Sequence, residues 1–168
     1  DLNGNMDWDR PVHFEYFTTD NKCVISQECD FSACGGWSRA WSPHSFKLKA
    51  GKAYDFKNSF NYQFFGSEKD NPAVENGKGY LKHKTLQIRN GGNEHNSGRL
   101  KDGALQFIIG TSGIDVDYQS YQPVHEFING KYIGLLNVRE PNNKHYVYAN
   151  YGWDEDEIDQ FEMSADSG

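Results

Sequence analysis

Apolar and polar positions alternate from the first ordered-looking segment of this chain. In RPVHFEYF, Arg10 to Phe17, the side chains of Val12, Phe14 and Tyr16 alternate with His13 and Glu15, and after the turn residues Asp20-Asn21-Lys22 a second run, CVISQ, begins at Cys23. Period-two alternation on both sides of a polar turn predicts a β-hairpin. HSFKLKA, His44 to Ala50, repeats the pattern, with His44, Phe46 and Leu48 on one face and Ser45, Lys47 and Lys49 on the other. A loop-rich stretch carrying Phe60, Tyr62, Phe64 and Phe65 then leads to the strand KTLQIR, which runs into the polar segment Arg89-Asn90-Gly91-Gly92-Asn93.

The period changes at Ser97. Leu100, Ala104, Phe107 and Ile108 recur at helical spacing, Ser97 is placed to cap the N-terminus, and Gly110 or Gly113 to close the C-terminus. This predicts an amphipathic helix over about Gly98 to Ile109 that buries those four residues on a sheet. YQPVHEFINGKYIGLLNVRE, Tyr121 to Glu140, is two alternating runs joined by Asn129-Gly130, the strongest short hairpin signal. Asn142 or Asn143 can cap a short helix that runs through Tyr151 to Gly152, and Asp154 opens another polar turn. The order predicts one α+β domain over residues 1–168, a mostly antiparallel sheet with one main packed helix and short C-terminal helices.

Composition narrows the function classes. A hydrophobic fraction of 36% is low, but 11 Phe, 10 Tyr and 4 Trp supply large buried areas, so the chain is expected to fold. A net charge of -7 without a basic face disfavours nucleic acid. No apolar run reaches the length of a membrane span, and no signal peptide is seen. Because the chain starts at Asp1 without an initiator Met, it reads as a processed or excised piece. Cys23, Cys29 and Cys34 do not match zinc-ligand spacing. Buried free thiols, or one disulfide with a thiol left over, both fit.

Candidate chemistry is sparse. DVDYQSYQPVHE, Asp115 to Glu126, comes close to a calcium loop, yet Ser120 stands where the turn needs glycine and a strand follows instead of a helix. The acidic run Asp154 to Asp159 reads as a helix start, and the six histidines lack the spacing of a zinc hydrolase. Neither G-x-S-x-G nor a P-loop occurs. Two glycine-rich turns beside arginines remain, CGGWSR (Cys34 to Arg39) and RNGGN (Arg89 to Asn93). Glycine lets the backbone approach a ligand, and arginine grips phosphate or carboxylate through paired hydrogen bonds. The plain alternative is two ordinary turns.

GGWSR followed by PHSFKLKA, then LQIRNGGNE, YQPVHEFINGKYIGLLNVRE and NYGWDEDEID resemble, in order and spacing, the spore coat protein H (CotH-like) family of atypical kinases. The likeness runs from about Arg10 to Phe161 and covers the first half of the family's domain. It implies a distant kinase-like fold that uses ATP and a divalent metal such as Mg to phosphorylate serines on spore-coat or cell-surface proteins. The chain would be its nucleotide-side lobe, from an exported bacterial protein at the cell surface, with the C-terminal half of the domain as its partner. Gly35, Gly36, Ser38 and Arg39 would form a phosphate-side turn, Glu140 would lie near the connection between lobes, and Arg89, Asn90 and Asn93 would sit in the polar loop beside the main helix.

Two departures point to an isolated chain without activity, without a metal ligand and without a catalytic residue of its own. Family members carry a lysine in a Pro-Lys-Ser strand start, whereas this chain has Pro43-His44-Ser45. A neutral imidazole does not replace an ammonium facing phosphates, and Lys47, three residues along the strand, faces the other side. The family's metal-holding and substrate-activating aspartates would lie beyond Gly168. The alternative is an extracellular non-catalytic module that contacts glycan or protein through exposed aromatics. Exposed Trp8, Trp41 and Trp153 would favour the module, and a cleft lined by Arg39, Arg89 and Glu140 would favour the kinase lobe.

Overall fold

The computed structural model describes residues 8–51, 55–65, 80–162 and 164–167. Its centre is a six-stranded antiparallel sheet in the order β1 (Arg10–Phe17), β2 (Cys23–Ala33), β3 (Phe46–Ala50), β6 (Thr85–Arg89), β8 (Lys131–Arg139), β7 (Tyr121–Ile128). Short pairs flank it, β4 (Phe60–Asn61) with β5 (Lys82–His83) and β9 (Gln160–Glu162) with β10 (Ser164–Ser167). Among the described residues, the helices α1 (Lys101–Ser112) and α2 (Lys144–Tyr151) join the sheet in an α+β fold.

Alternation sorts the sheet into two unlike faces. Ile25 and Cys29 on β2, Phe46 and Leu48 on β3, Leu86 and Ile88 on β6, and Leu136 and Val138 on β8 are buried together. Phe60, Phe64 and Phe65 from the loop-rich stretch close over that face, with Phe14 edge-on to Phe60 at 5.6 Å and Tyr16 edge-on to Phe64 at 4.9 Å. Burying several aromatics here compensates for the modest apolar fraction. The opposite face carries the intervening residues, Lys47, Gln87, Arg89, Asn137 and Arg139, and the register sets Lys47 opposite Gln87 and Gln87 opposite Arg139.

Both sequence-expected hairpins form. Asn129 at φ 51° and Gly130 at φ 77° give the left-handed pair that a tight two-residue connection requires. In the β1–β2 turn, Thr18 N–H donates to Lys22 O at 3.0 Å, the Thr18 hydroxyl bonds Asp20, and Asn21 takes φ 60°. β2 runs on well past CVISQ to Ala33. The helix at Lys144 is capped by Asn143, whose Oδ1 accepts from Tyr146 N–H at 2.9 Å, and ends on Gly152 at φ 75°.

The main helix departs from expectation in start and in orientation. It begins at Lys101, not near Gly98, and Ser97 does not cap it; the Ser97 hydroxyl donates to Glu94 O, while Glu94 Oε2 accepts from Lys101 N–H at 3.2 Å. It ends on Gly113 at φ 72°. The face read as core is uncovered, with Leu100, Ala104, Phe107 and Ile108 all exposed and Phe107 at 61%. Instead the helix turns inward the side bearing Asp102, Gly103, Gln106 and Gly110. A Cβ on Gly103 would stand 3.1 Å from the Tyr121 ring, and one on Gly110 would stand 2.6 Å from the Tyr118 ring. Gln106 Oε1 accepts from Gln119 N–H at 2.7 Å.

The physical reason lies in the surface beneath. α1 packs on the polar face, where Arg139 is only 1% exposed, and an unpaired buried guanidinium costs more than a few apolar side chains left in water. Asp102 meets that demand, and the two glycines let the helix come close enough to deliver it.

The thiols are free, but only Cys29 is fully buried, and burial pushes it up to about 12. Cys23 is exposed, contrary to the reading of all three as buried, and Cys34 is half-buried. Among the described residues, no helix is long and apolar enough to cross a membrane and no group of three or more His, Cys, Asp or Glu is arranged to hold a metal.

Candidate functional site

The RNGGN turn is locked to the Pro43–Ser45 segment that follows the other glycine-rich turn. Asn90, with 0% exposure, donates from its backbone N–H to Ser45 Oγ at 2.9 Å and from Nδ2 to Pro43 O at 2.7 Å. Its Oδ1 accepts from Gly92 N–H at 2.9 Å, and Gly91 and Gly92 adopt φ 89° and 61°. These left-handed conformations suit glycine and bring the chain back over the end of β6. On the other side, Gly35 at φ 102° receives Arg39 Nε–H on its carbonyl at 3.0 Å. His44 Nδ1 lies 2.9 Å from Arg39 O; a carbonyl only accepts, so Nδ1 carries the proton.

Beside this junction, the polar face of the sheet holds an arginine–aspartate–arginine cluster. Asp102 Oδ2 accepts from Arg89 Nε at 2.6 Å and from Arg139 Nη1 at 3.0 Å. Burial works against the charge on Arg139, and Asp102 partly restores it. Next to Arg89 opens a cavity of about 240 Å³ lined by Cys34, Lys47, Gln87, Arg89, Gln119, Pro141 and Asn142. Gln87 Nε2 donates to Cys34 Sγ at 3.3 Å, and burial raises the Cys34 thiol, so it stays protonated near neutral pH. Gln119 Nε2 donates to the backbone oxygen of Glu140 at 2.7 Å, which fastens the far wall to the segment leaving β8.

Of the candidate ligand-binding residues Gly35, Gly36, Ser38, Arg39, His44, Arg89, Asn90, Asn93 and Glu140, Arg89 alone lines this cavity. Gly35, Gly36, Ser38 and Arg39 form an exposed or half-buried turn entering the 3-10 helix Trp37–Ala40, and Arg39 braces that turn. Asn90 is a buried clamp rather than a ligand-facing amide, because no part of it reaches the surface. Asn93 is exposed in the 3-10 helix Gly92–Glu94. Glu140 is buried, with Oε2 accepting from Asn150 Nδ2 at 3.0 Å, so Arg39, Arg89 and Glu140 do not share a cleft. His44 precedes β3 and contacts Phe46, with ring centroids 6.3 Å apart. As expected from the alternation, Lys47 lies on the strand face opposite His44, and on that face it lines this cavity.

Sequence reasoning missed Lys47, Gln87, Asp102 and Arg139. The signal for the first two was present in the matching alternations Phe46-Lys47-Leu48 and Leu86-Gln87-Ile88, which mark polar positions on neighbouring strands. Nothing local announced Asp102, because its partners come from β6 and β8.

The comparison with known families fits this arrangement of signatures. A model of the CotH kinase protein family matches residues 32–166. The chain belongs to that family. The CotH match starts inside β2 and takes in both glycine-rich turns, α1, the β7–β8 hairpin and α2. No curated protein and no solved structure matches the chain.

Proposed function

We propose that this CotH-family chain is the nucleotide-side lobe of a kinase-like phosphotransferase from an exported, cell-surface bacterial protein, and that it is inactive in isolation. One observation carries the reading. Arg89, on a central strand, is held by Asp102 from α1 and faces, together with Lys47, a cavity beside the segment that leaves the sheet at Glu140. Phosphoryl transfer depends on positioning and on cations near the phosphates, and kinases hold their strand cation with a helix carboxylate. Lys47 and Arg89 take that place here, which removes the burden from His44. ATP with Mg is the ligand of the complete protein, and this lobe supplies cations to the phosphates.

The uncovered apolar side of α1 suits the C-terminal half of the domain as the partner that rests on it. A lobe of this kind binds Mg-ATP weakly and transfers no phosphate, because the base for the acceptor hydroxyl and the metal-holding carboxylates come from the rest of the domain. An amide-shift titration with Mg-ATP, paired with a labelled-phosphate transfer assay, tests this. Weak shifts centred on Lys47, Gln87 and Arg89 without transfer are expected. Transfer by the isolated chain, or no response at those amides at millimolar ligand, overturns it.

A second reading, a non-catalytic module for glycan or protein, draws on Trp153 and Trp8, exposed at 67% and 40%. Trp41 does not add to it, being half-buried and stacked on His95 at 4.5 Å. Tryptophan fluorescence that responds to glycans but not to Mg-ATP would favour this module.

A further inference from the structure

A nucleotide offers two handles, an anionic tail and an aromatic base, and the cavity is built for one of them. Its volume of about 240 Å³ falls below the roughly 300–1,000 Å³ of pockets that enclose whole drug-sized ligands. The lining consists of two cations, the amides of Gln87, Gln119 and Asn142, one thiol and one proline ring. Among the described residues no aromatic ring lines it, so a base finds no face on which to stack.

The charge arrangement favours the tail. Of the two cations in the lining, Arg89 shares Asp102 with the buried Arg139 behind it, and Lys47 forms no ion pair among the described residues, so the charge facing the cavity is positive. Among the described residues, Nε and Nη2 of the buried Arg139 have no hydrogen-bond partner, which adds to the positive charge behind Arg89. This is a cationic spot in a chain whose net charge is -7. An anion with several oxygens satisfies a cluster of guanidinium, ammonium and amide donors at once.

We infer that the lobe takes the polyphosphate tail alone and does not read the base, so that any nucleoside triphosphate, or inorganic tripolyphosphate, occupies the cavity equally. The inference rests on the phosphate-site reading above and adds the absence of base selection. The test is an amide-shift titration of the full chain with Mg-ATP, Mg-GTP, Mg-tripolyphosphate and adenosine.

The three phosphates are expected to shift the same amides around Lys47, Gln87 and Arg89, with dissociation constants within about threefold of one another, while adenosine leaves them unmoved. Lys47→Gln should weaken all three by a common factor of about ten. Adenosine binding in the cavity, or a preference of about tenfold or more for ATP over GTP or tripolyphosphate, overturns base indifference while the phosphate site stands. Failure of all three phosphates to bind overturns both readings.

Discussion

α1 and α2 are both short helices announced by the sequence, yet they are held by opposite means. α2 has a side-chain cap from Asn143 and buries His145, Tyr146 and Ala149. The Tyr146 hydroxyl reaches Asp117 Oδ1 at 2.8 Å and Tyr118 O at 2.6 Å, and burial, followed by the bond to Asp117, holds it well above the usual tyrosine range. α1 has no side chain capping it from its N-cap position Leu100, buries only Gly103 completely, and leaves its largest apolar residues in water. Its grip is one carboxylate on two arginines and two glycines under tyrosine rings. Apolar periodicity reports that a segment is helical; the demand of the surface beneath decides which side turns in. A helix fastened through charge beside a cationic cavity is also one whose position bears directly on that cavity.

Substitutions can break this contrast. The largest effect should come from α2: Tyr146→Ala removes a buried ring and a hydroxyl whose one proton is shared between two acceptors, and should cost about 3–5 kcal/mol by denaturant unfolding. A loss under about 1 kcal/mol would mean that α2 is as loosely held as α1. Next comes the charge clamp. Asp102→Asn leaves Arg139 buried without a counter-charge, and because Asp102 is itself partly exposed the cost should be about 2–3 kcal/mol. The loss should persist at high salt, since a buried guanidinium is poorly screened; an effect that salt abolishes would place the cluster at the surface.

Smaller effects probe the glycine face. In Gly110→Ala the new methyl meets the Tyr118 ring and forces it to move, at about 1–3 kcal/mol, partly offset by the roughly 1 kcal/mol that alanine gains over glycine in a helix. A net loss of about 1 kcal/mol is expected, and a net gain would show that the ring yields freely. Smallest of all is Phe107→Ala, which should change stability by less than about 0.5 kcal/mol because the side chain is already in water. A cost near 3 kcal/mol would restore the buried face that periodicity suggested.

Much of the framework was legible because its causes are local. Asn129-Gly130 accepts left-handed backbone, so the β7–β8 turn could be placed to the residue. Asn143 and Gly152 mark the ends of α2 for equally local reasons, an oxygen for an unpaired N–H and freedom at positive φ. The alternation of Phe46 and Leu48 with lysines, and of Leu86 and Ile88 with Gln87 and Arg89, correctly divided core from polar face. RNGGN was legible as something organised, but the sequence could not say that Asn90 points into the protein, because its partners Ser45 and Pro43 lie on the other signature.

By itself, then, the sequence determined the long strands, the hairpin turns, the Asn143 cap and the family, since each depends on neighbours in the chain or on motifs of fixed order. Tertiary structure alone decided which side of α1 is buried, that Lys47 instead of His44 stands with Arg89 at the cavity, and that Asp102 joins two strands. The physical reason is common to all three. A buried guanidinium takes its partner from whatever element lies over it, and only the register of β3, β6 and β8 sets Lys47, Arg89 and Arg139 on one face beneath α1.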